Sequence, residues 1–254
     1  MPYRRIIARL DIKGPNVIKG IQMEGLRVIG KPADLARRYY EDGADELVFV
    51  DTVATLYGRD NIREVVELAA NELFIPLTVG GGIRTLSDAK DMLMSGADKV
   101  AVNSGAIRNP SMLGEIASVF GNQCVVLSVE AKRIAPGRWE PYIDNGREPT
   151  GLDLIEWCTE AVSRGAGEVL LTSVDCDGTK RGFDLELVEA VSTAVSVPVV
   201  CSGGAGTTQH VVDLFHGSKV DAVAVGTVLH YGLLSIAEIK NAVLKSGHHV
   251  RTGP

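Results

Sequence analysis

Short apolar, β-branched runs alternate with longer stretches of helical periodicity along the whole chain. The apolar runs lie near residues 4–10, 46–51, 75–79, 98–103, 123–130, 168–173, 198–202 and 220–226. They are apolar almost throughout rather than at every second position, which is typical of parallel strands buried on both faces. Eight strand–helix units in series, with no linker-like stretch, favour a closed barrel over a doubly wound sheet. We therefore predict an α/β fold, a (β/α)8 TIM barrel, as a single domain over residues 1–254.

Two connecting segments differ from the helical ones. Pro32 and Gly43 bound an ordinary helix, since proline suits the first helical turn and glycine the end. Residues 133–145, by contrast, have no helical period and contain a Pro-Gly pair, so we expect a small β-hairpin after the fifth strand. Residues 19–30 contain three glycines and no clear periodicity, which predicts a mobile flap over the mouth, the C-terminal end of the barrel.

The second half of the chain repeats motifs of the first at an offset of about 122 residues, as between Gly43 and Gly165. The similar segments are 43–48 and 165–170, 79–82 and 201–204, and 98–104 and 221–227. Four strand–helix units therefore occur twice. This predicts two half-barrels related by a pseudo-two-fold axis, with equivalent sites on opposite sides of one mouth.

Composition narrows the classes of partner. The net charge of −6 and the pI of about 5.4 argue against nucleic acid or an anionic membrane surface. No apolar run approaches the roughly 20 residues that span a bilayer, and the N-terminus lacks the features of a signal peptide. The four cysteines show no metal-binding spacing, so they indicate reduced thiols and a cytoplasmic protein.

Glycine clusters follow two equivalent strands. Gly80–Gly82 follows the third strand and Ser202–Gly206 the seventh, while the next strand of each half ends in Asn103-Ser104 or Gly226-Thr227. Glycine lets backbone N–H groups approach an anion closely, and the helical N-termini that follow favour phosphate. Loops after strands 7 and 8 are also the usual phosphate site of this fold. Two such arrangements predict two phosphate sites, although glycines can also serve only as tight turns.

Two carboxylates lie at matching points of the halves. Asp11 ends the first strand and Glu130 the fifth, so both are expected at the mouth between the phosphate sites. Such a pair suits general acid–base catalysis if the environments separate their pKa values. The alternative is a solvated or salt-bridged carboxylate beside Lys13, Lys19 or Lys132.

Charged residues also occur at or near the starts of four strands. They are Arg5, Glu46, Lys99 and Glu168. Mutual ion pairs there can close the bottom of a barrel, and features at this face usually serve stability. The residues alone therefore favour structural bracing.

The order of these motifs resembles the cyclase subunit family of imidazole glycerol phosphate synthase, from Arg4 to about Arg251. The matching motifs are Leu10–Lys13, Val17–Gly20, Asp45–Phe49, Thr78–Arg84, Gly96–Val100, Pro149–Gly151, Asp177–Lys180 and Ser202–Gly206. The resemblance implies that ammonia is joined to a bis-phosphorylated ribulosyl intermediate of histidine biosynthesis. Cleavage and ring closure then give imidazole glycerol phosphate and an aminoimidazole carboxamide ribotide.

The resemblance also implies roles for individual residues. Asp11 and Glu130 would be the acid–base pair, and Lys19 would belong to the closing flap. One phosphate would bind at Gly82, Asn103 and Ser104, and the other at Asp177, Gly178, Gly204, Gly226 and Thr227. The ring Arg5, Glu46, Lys99 and Glu168 would be the gate of an ammonia channel. A separate glutaminase subunit would then dock over the N-terminal face as a heterodimer, and no metal or organic cofactor is implied.

This chain departs from the family pattern close to the chemistry. The family has aspartate at Glu130, cysteine at Arg9, aspartate at Val28 and Lys31, and arginine at Cys176. The extra methylene of Glu130 displaces its carboxylate, and a misplacement of about 1 Å can cost about 10²-fold in rate.

Three functional hypotheses follow from the match and its departures. The chain is a working cyclase, a divergent paralogue that works with a glutaminase to amidate a surface-polysaccharide sugar, or a non-catalytic bisphosphate-binding subunit. Asp11, Lys19 and both phosphate sites favour the cyclase, because a sugar nucleotide would not need two separated phosphates.

Overall fold

The computed structural model describes residues 3–52 and 60–252. The predicted domain, residues 1–254, also includes 1–2, 53–59 and 253–254, which lie outside the described residues. In chain order the strands are β1 (Arg5–Lys13), β2 (Asn16–Ile21), β3 (Glu24–Gly30), β4 (Glu46–Asp51), β5 (Leu77–Gly80), β6 (Lys99–Val102), β7 (Val125–Ala135), β8 (Arg138–Ile143), β9 (Glu148–Pro149), β10 (Glu168–Ser173), β11 (Val199–Ser202) and β12 (Ala222–Val225).

The helices lie between the strands and pack on their outer side. They are α1 (Pro32–Glu41), α2 (Asp60–Glu72), α3 (Leu86–Met94), α4 (Ser104–Arg108), α5 (Ser111–Phe120), α6 (Leu154–Ser163), α7 (Leu185–Ala194), α8 (Thr208–Gly217), α9 (Thr227–His230) and α10 (Ile236–Lys245), with a 3-10 turn at Asn122–Cys124. Within the described ranges, no helix combines the length and apolar character needed to cross a membrane.

Within the described residues, eight parallel strands close into a ring in the order β1, β4, β5, β6, β7, β10, β11, β12. The ring closes where β12 pairs with β1, with Ala224 opposite Ile7. The prediction of a (β/α)8 barrel is therefore confirmed. The two halves also match in detail, because β1 and β7 each continue beyond the barrel into an antiparallel hairpin, with β2 and β8 respectively.

Both long connecting segments fold as hairpins. The hairpin predicted after the fifth strand is confirmed, since β7 and β8 pair antiparallel around a turn at Pro136-Gly137. The segment 19–30, predicted as a mobile flap over the mouth, contains β2 and β3, which form an antiparallel pair with register shifts. The segment therefore contains two strands that its lack of periodicity did not indicate.

Side chains of the barrel strands alternate between two cores. The outer core lies between strands and helices and contains fully buried Tyr39, Phe49 and Phe215. The smaller inner core fills the barrel and includes Ile7 and Leu170. Each fully buried side chain of this size stabilises the fold by roughly 1.5–3 kcal/mol. Because successive side chains of a strand point to opposite faces, the face of β1 that carries Ile7 also carries Arg5 and Arg9.

Candidate active site

Asp11 lies on the inner face of β1 and is held by two cations. Arg9 Nε donates a hydrogen bond to Asp11 Oδ1 (2.8 Å), and Lys19 Nζ donates to Oδ2 (2.9 Å). Burial alone would raise the pKa of Asp11, but the charges of Arg9 and Lys19 hold that pKa well below its usual range. The Asp11 carboxylate is therefore ionised at any working pH.

Arg9 joins three strands inside the barrel. Besides Asp11, its Nη1 donates to Thr172 Oγ1 on β10 (2.7 Å) and to Ser202 Oγ on β11 (3.3 Å). The whole residue is buried. A guanidinium has donors in a fixed planar fork, so this arrangement places a permanent positive charge just below the mouth.

Glu130, at the mouth on β7, has the opposite electrostatic setting. Its Oε2 accepts hydrogen bonds from Asn103 Nδ2 (3.1 Å) and from the backbone N–H of Gly146 (2.8 Å). Burial raises the pKa of Glu130 to about 7, although the charge of Arg9 opposes the shift. At neutral pH, Glu130 therefore exchanges a proton readily.

The two carboxylates lie on opposite sides of the mouth. Asp11 is on β1 and Glu130 on β7, four positions apart in the ring of eight strands. Their pKa values are displaced in opposite directions, so Asp11 stays ionised and Glu130 can supply a proton. The structure thus brings the predicted pair to one mouth with separated roles.

The residues predicted for the second phosphate line one cavity, which we call the second cradle: Asp177, Gly178, Gly204, Gly226 and Thr227. Lys19 and Arg9 also line this cavity. Gly204 has φ +117, and a Cβ at this position would lie 2.1 Å from the carbonyl oxygen of Gly182. Only glycine fits there, so the backbone can come close to a bound group.

The residues predicted for the first phosphate also share a cavity, the first cradle, formed by Gly82, Asn103 and Ser104. Asp144 and Arg108 line it too. Ser104 Oγ donates to Asp144 Oδ1 (3.3 Å) and accepts from the Asp144 backbone N–H (3.1 Å), while Arg108 Nη2 lies 2.8 Å from Asp144 Oδ2. Asn103 donates to Glu130 and to a backbone carbonyl of the β8 hairpin. The first cradle is therefore brought together as predicted, but it already contains a carboxylate.

The β2–β3 hairpin covers the second cradle. Lys19 on β2 is buried and donates to both carboxylate oxygens of Asp177 (3.0 and 3.1 Å) as well as to Asp11. The backbone N–H of Gln22 donates to the carbonyl of Asp177 (2.8 Å). A Cβ on Gly178 would lie 2.4 Å from the Gly20 carbonyl oxygen, so hairpin and cradle are in close contact.

The four charged residues at the strand starts form a closed ring of ion pairs. Arg5 lies 2.6 Å from both Glu46 and Glu168, and Lys99 lies 3.2 Å from Glu46 and 2.8 Å from Glu168. Burial opposes ionisation of Glu168, but Arg5 and Lys99 hold its pKa below the usual range. All four predicted residues therefore meet at the N-terminal end of the barrel.

Comparison with known proteins identifies the family. The family model for the histidine biosynthesis protein matches residues 5–235. A relative from Streptococcus sanguinis is 52% identical over 251 residues, covering 99% of this chain and all of the relative. A relative from Legionella pneumophila is 59% identical over 202 residues, covering 80% of this chain and 95% of the relative. A relative from Myxococcus xanthus is 51% identical over 252 residues, covering 99% of this chain and 99% of the relative. All three are named imidazole glycerol phosphate synthase subunit HisF. The chain belongs to the HisF family.

Two features of this HisF-family site were missed from the sequence. Arg9 appeared only as a departure from the family pattern, although the alternation from Arg5 through Ile7 to Asp11 places it inside the barrel. Asp144 and Arg108 gave no signal, because their contact joins residues 36 positions apart in the chain. In the part of the chain that the structure describes, no cluster of three or more histidine, cysteine or acidic side chains is arranged to hold a metal ion.

Proposed function

We propose that this chain is the ammonia-dependent cyclase subunit of an imidazole glycerol phosphate synthase. Its substrate would be the bis-phosphorylated ribulosyl aminoimidazole carboxamide intermediate, and its products imidazole glycerol phosphate and the aminoimidazole carboxamide ribotide. The observation that carries this proposal is the placement of Asp11 and Glu130 on opposite sides of one mouth with oppositely shifted pKa values.

In this proposal the two carboxylates divide the proton transfers. A carboxyl oxygen of Glu130 gives a proton to the leaving nitrogen or oxygen of the substrate, since it is the group that is protonated near neutral pH. Asp11 accepts a proton from ammonia or from the reacting carbon. Lys19 would turn from Asp11 and Asp177 to the phosphate in the second cradle, which makes the Asp11 carboxylate more basic when substrate is bound.

We propose further that a separate glutaminase subunit delivers ammonia through the ring of Arg5, Glu46, Lys99 and Glu168. The relatives are named as a subunit of a synthase. Two large apolar side chains are exposed at the same end of the barrel, Phe74 (84% exposed) before β5 and Met94 (76%) at the end of α3. Exposed apolar side chains of this size suit a protein interface. A cytoplasmic location fits the four free thiols.

The proposal is tested by turnover without a glutaminase. The purified chain is mixed with the ribulosyl bisphosphate intermediate and ammonium salt at mildly alkaline pH, and loss of substrate absorbance is followed. We expect turnover by the wild type, none by Asp11→Asn, and unchanged turnover by Asp213→Asn, a control on the exposed face of α8. Absence of turnover in the wild type and in Glu130→Asp would refute the cyclase.

A second candidate is favoured by the Arg9–Asp11 pair. A carboxylate held by a buried guanidinium is a weak base, whereas an efficient general base has a pKa near the working pH. This suits the paralogue that passes ammonia from a glutaminase to amidation of a surface-polysaccharide sugar. Neighbouring histidine genes or polysaccharide genes distinguish the two candidates. Tight bisphosphate binding without turnover would instead support the non-catalytic subunit.

A further inference from the structure

Each cradle already contains a carboxylate, and the two cradles differ in the groups that this carboxylate contacts. In the second cradle the carboxylate of Asp177 is paired with Lys19, which is buried and is also held by Asp11. In the first cradle the carboxylate of Asp144 lies against Ser104, one of the residues predicted to hold phosphate. Among the described residues, the cation that pairs with Asp144 is Arg108, whose side chain is 49% exposed.

The backbone holds Asp144 in this position. Asp144, Asn145 and Gly146 have φ values of +50, +61 and +73, so three successive residues are left-handed in the turn after β8. The turn is fixed from two sides, because the Asp144 N–H donates to Ser104 Oγ and the Gly146 N–H donates to Glu130 Oε2. The carboxylate is therefore presented to the cradle by an ordered turn rather than by a freely rotating loop.

The Asp144 carboxylate makes the contacts that a phosphate oxygen would make. It accepts a hydrogen bond from a serine hydroxyl and forms an ion pair with a guanidinium. Both of these groups are common phosphate ligands in proteins. We propose that Asp144 is a specificity residue that competes with a ligand anion for Ser104 and Arg108 in the first cradle. The proposal rests on the proposed function in taking this cradle as a phosphate site.

Unequal binding of the two ends of the substrate follows. A phosphate in the second cradle takes Lys19 over from Asp11 and Asp177. In the first cradle it must displace Asp144 both from a cation, Arg108, and from a hydroxyl ligand, Ser104. The second cradle therefore captures its phosphate at lower concentration. Neutral, hydroxyl-rich groups are tolerated in the first cradle better than a dianion, because Asp144 can accept their hydrogen bonds.

Titration with inorganic phosphate tests this in the full chain. Two-dimensional 15N NMR follows the amides of Gly82 and Ser104 for the first cradle and those of Gly178 and Thr227 for the second. The variant is Asp144→Asn, because asparagine also adopts left-handed backbone and keeps the turn. The matched control is Glu148→Gln, which removes one charge from the exposed strand β9 of the same hairpin.

In the wild type, we expect the second-cradle amides to shift at lower phosphate concentration than the first-cradle amides. Asp144→Asn is expected to tighten phosphate binding at the first cradle at least about tenfold and to leave the second cradle unchanged, because it removes a like charge within contact range of the anion. Glu148→Gln is expected to change neither.

Two results would overturn the inference alone, with turnover of the bisphosphate unaffected. They are unchanged first-cradle binding in Asp144→Asn, and an equal gain in Glu148→Gln, which would assign the effect to net charge. Phosphate binding at neither cradle in any variant would overturn the inference together with the proposed function. The turnover assay and the NMR titration thus report the two failures separately.

Discussion

Burial of Glu130 makes the free energy of unfolding decrease as the pH rises. An ion-paired carboxyl has the opposite effect. Its pKa is about 7 in the folded protein and 4.5 for the free side chain. A carboxyl whose folded pKa is raised stabilises the fold fully below the unfolded value, and that stabilisation is lost as the pH rises through about 7. At about 1.4 kcal/mol for each pH unit between the two values, the effect is about 3 kcal/mol.

The perturbation that tests this is Glu130→Gln, which keeps the shape of the side chain and removes its ionisation. Between about pH 5 and about pH 8, the wild type should lose about 2.5 kcal/mol of unfolding free energy that the variant does not lose. The variant should therefore gain stability relative to the wild type as the pH rises. Urea-induced unfolding at several pH values, followed by circular dichroism, measures the difference.

The exposed variant Glu148→Gln serves as the control and should follow the wild-type pH profile. The reasoning is refuted if the wild type and Glu130→Gln lose stability in parallel over this range. That result would mean that Glu130 is already ionised at about pH 5, and it would remove the proton donor from the proposed mechanism.

Two further predictions concern buried charges. Lys240 Nζ lies 2.7 Å from Asp45 Oδ1 with both residues buried, so Lys240→Met should destabilise the fold by about 3–5 kcal/mol in thermal unfolding. Adding Asp45→Asn should recover part of that loss, and an equally unstable double variant would contradict the ion-pair explanation. Arg9→Met removes a charge that lowers the pKa of both Asp11 and Glu130, so both carboxyl pKa values should rise in a 13C NMR titration. An unchanged Asp11 pKa would show that Lys19 alone sets it.

The barrel could be predicted because its signals are local. Each buried strand is an almost continuous apolar run, and the helix at Pro32–Glu41 begins at the proline and ends just before Gly43, as the sequence predicts. The β2–β3 hairpin was missed for an equally local reason. Its turn residues, Gln22 and Met23, have φ values of +51 and +62 without being glycine, and register shifts interrupt the alternation of β2. Neither the turn nor the strands therefore carry the usual hairpin pattern.

The site was predicted as a set of residues but not as an electrostatic arrangement. Asp11 and Glu130 could be placed at the mouth because each ends an apolar strand. Their opposite pKa shifts depend on where Arg9 points and on how deeply each carboxylate is buried, and both follow from packing between strands far apart in sequence. The partners of Arg9 on β10 and β11 are 163 and 193 residues away, so no spacing rule could have found them.

The ring of ion pairs at the bottom of the barrel is shared unequally between the repeated halves. The first half contributes two cations and one carboxylate, Arg5, Lys99 and Glu46, and the second half contributes Glu168. Either half alone would carry an uncompensated charge at this end, positive for the first half and negative for the second, and two copies of one half would double that charge. Such a distribution makes the two halves complementary in charge and not interchangeable. The ring therefore favours pairing of the first half with the second over pairing of either half with its own copy.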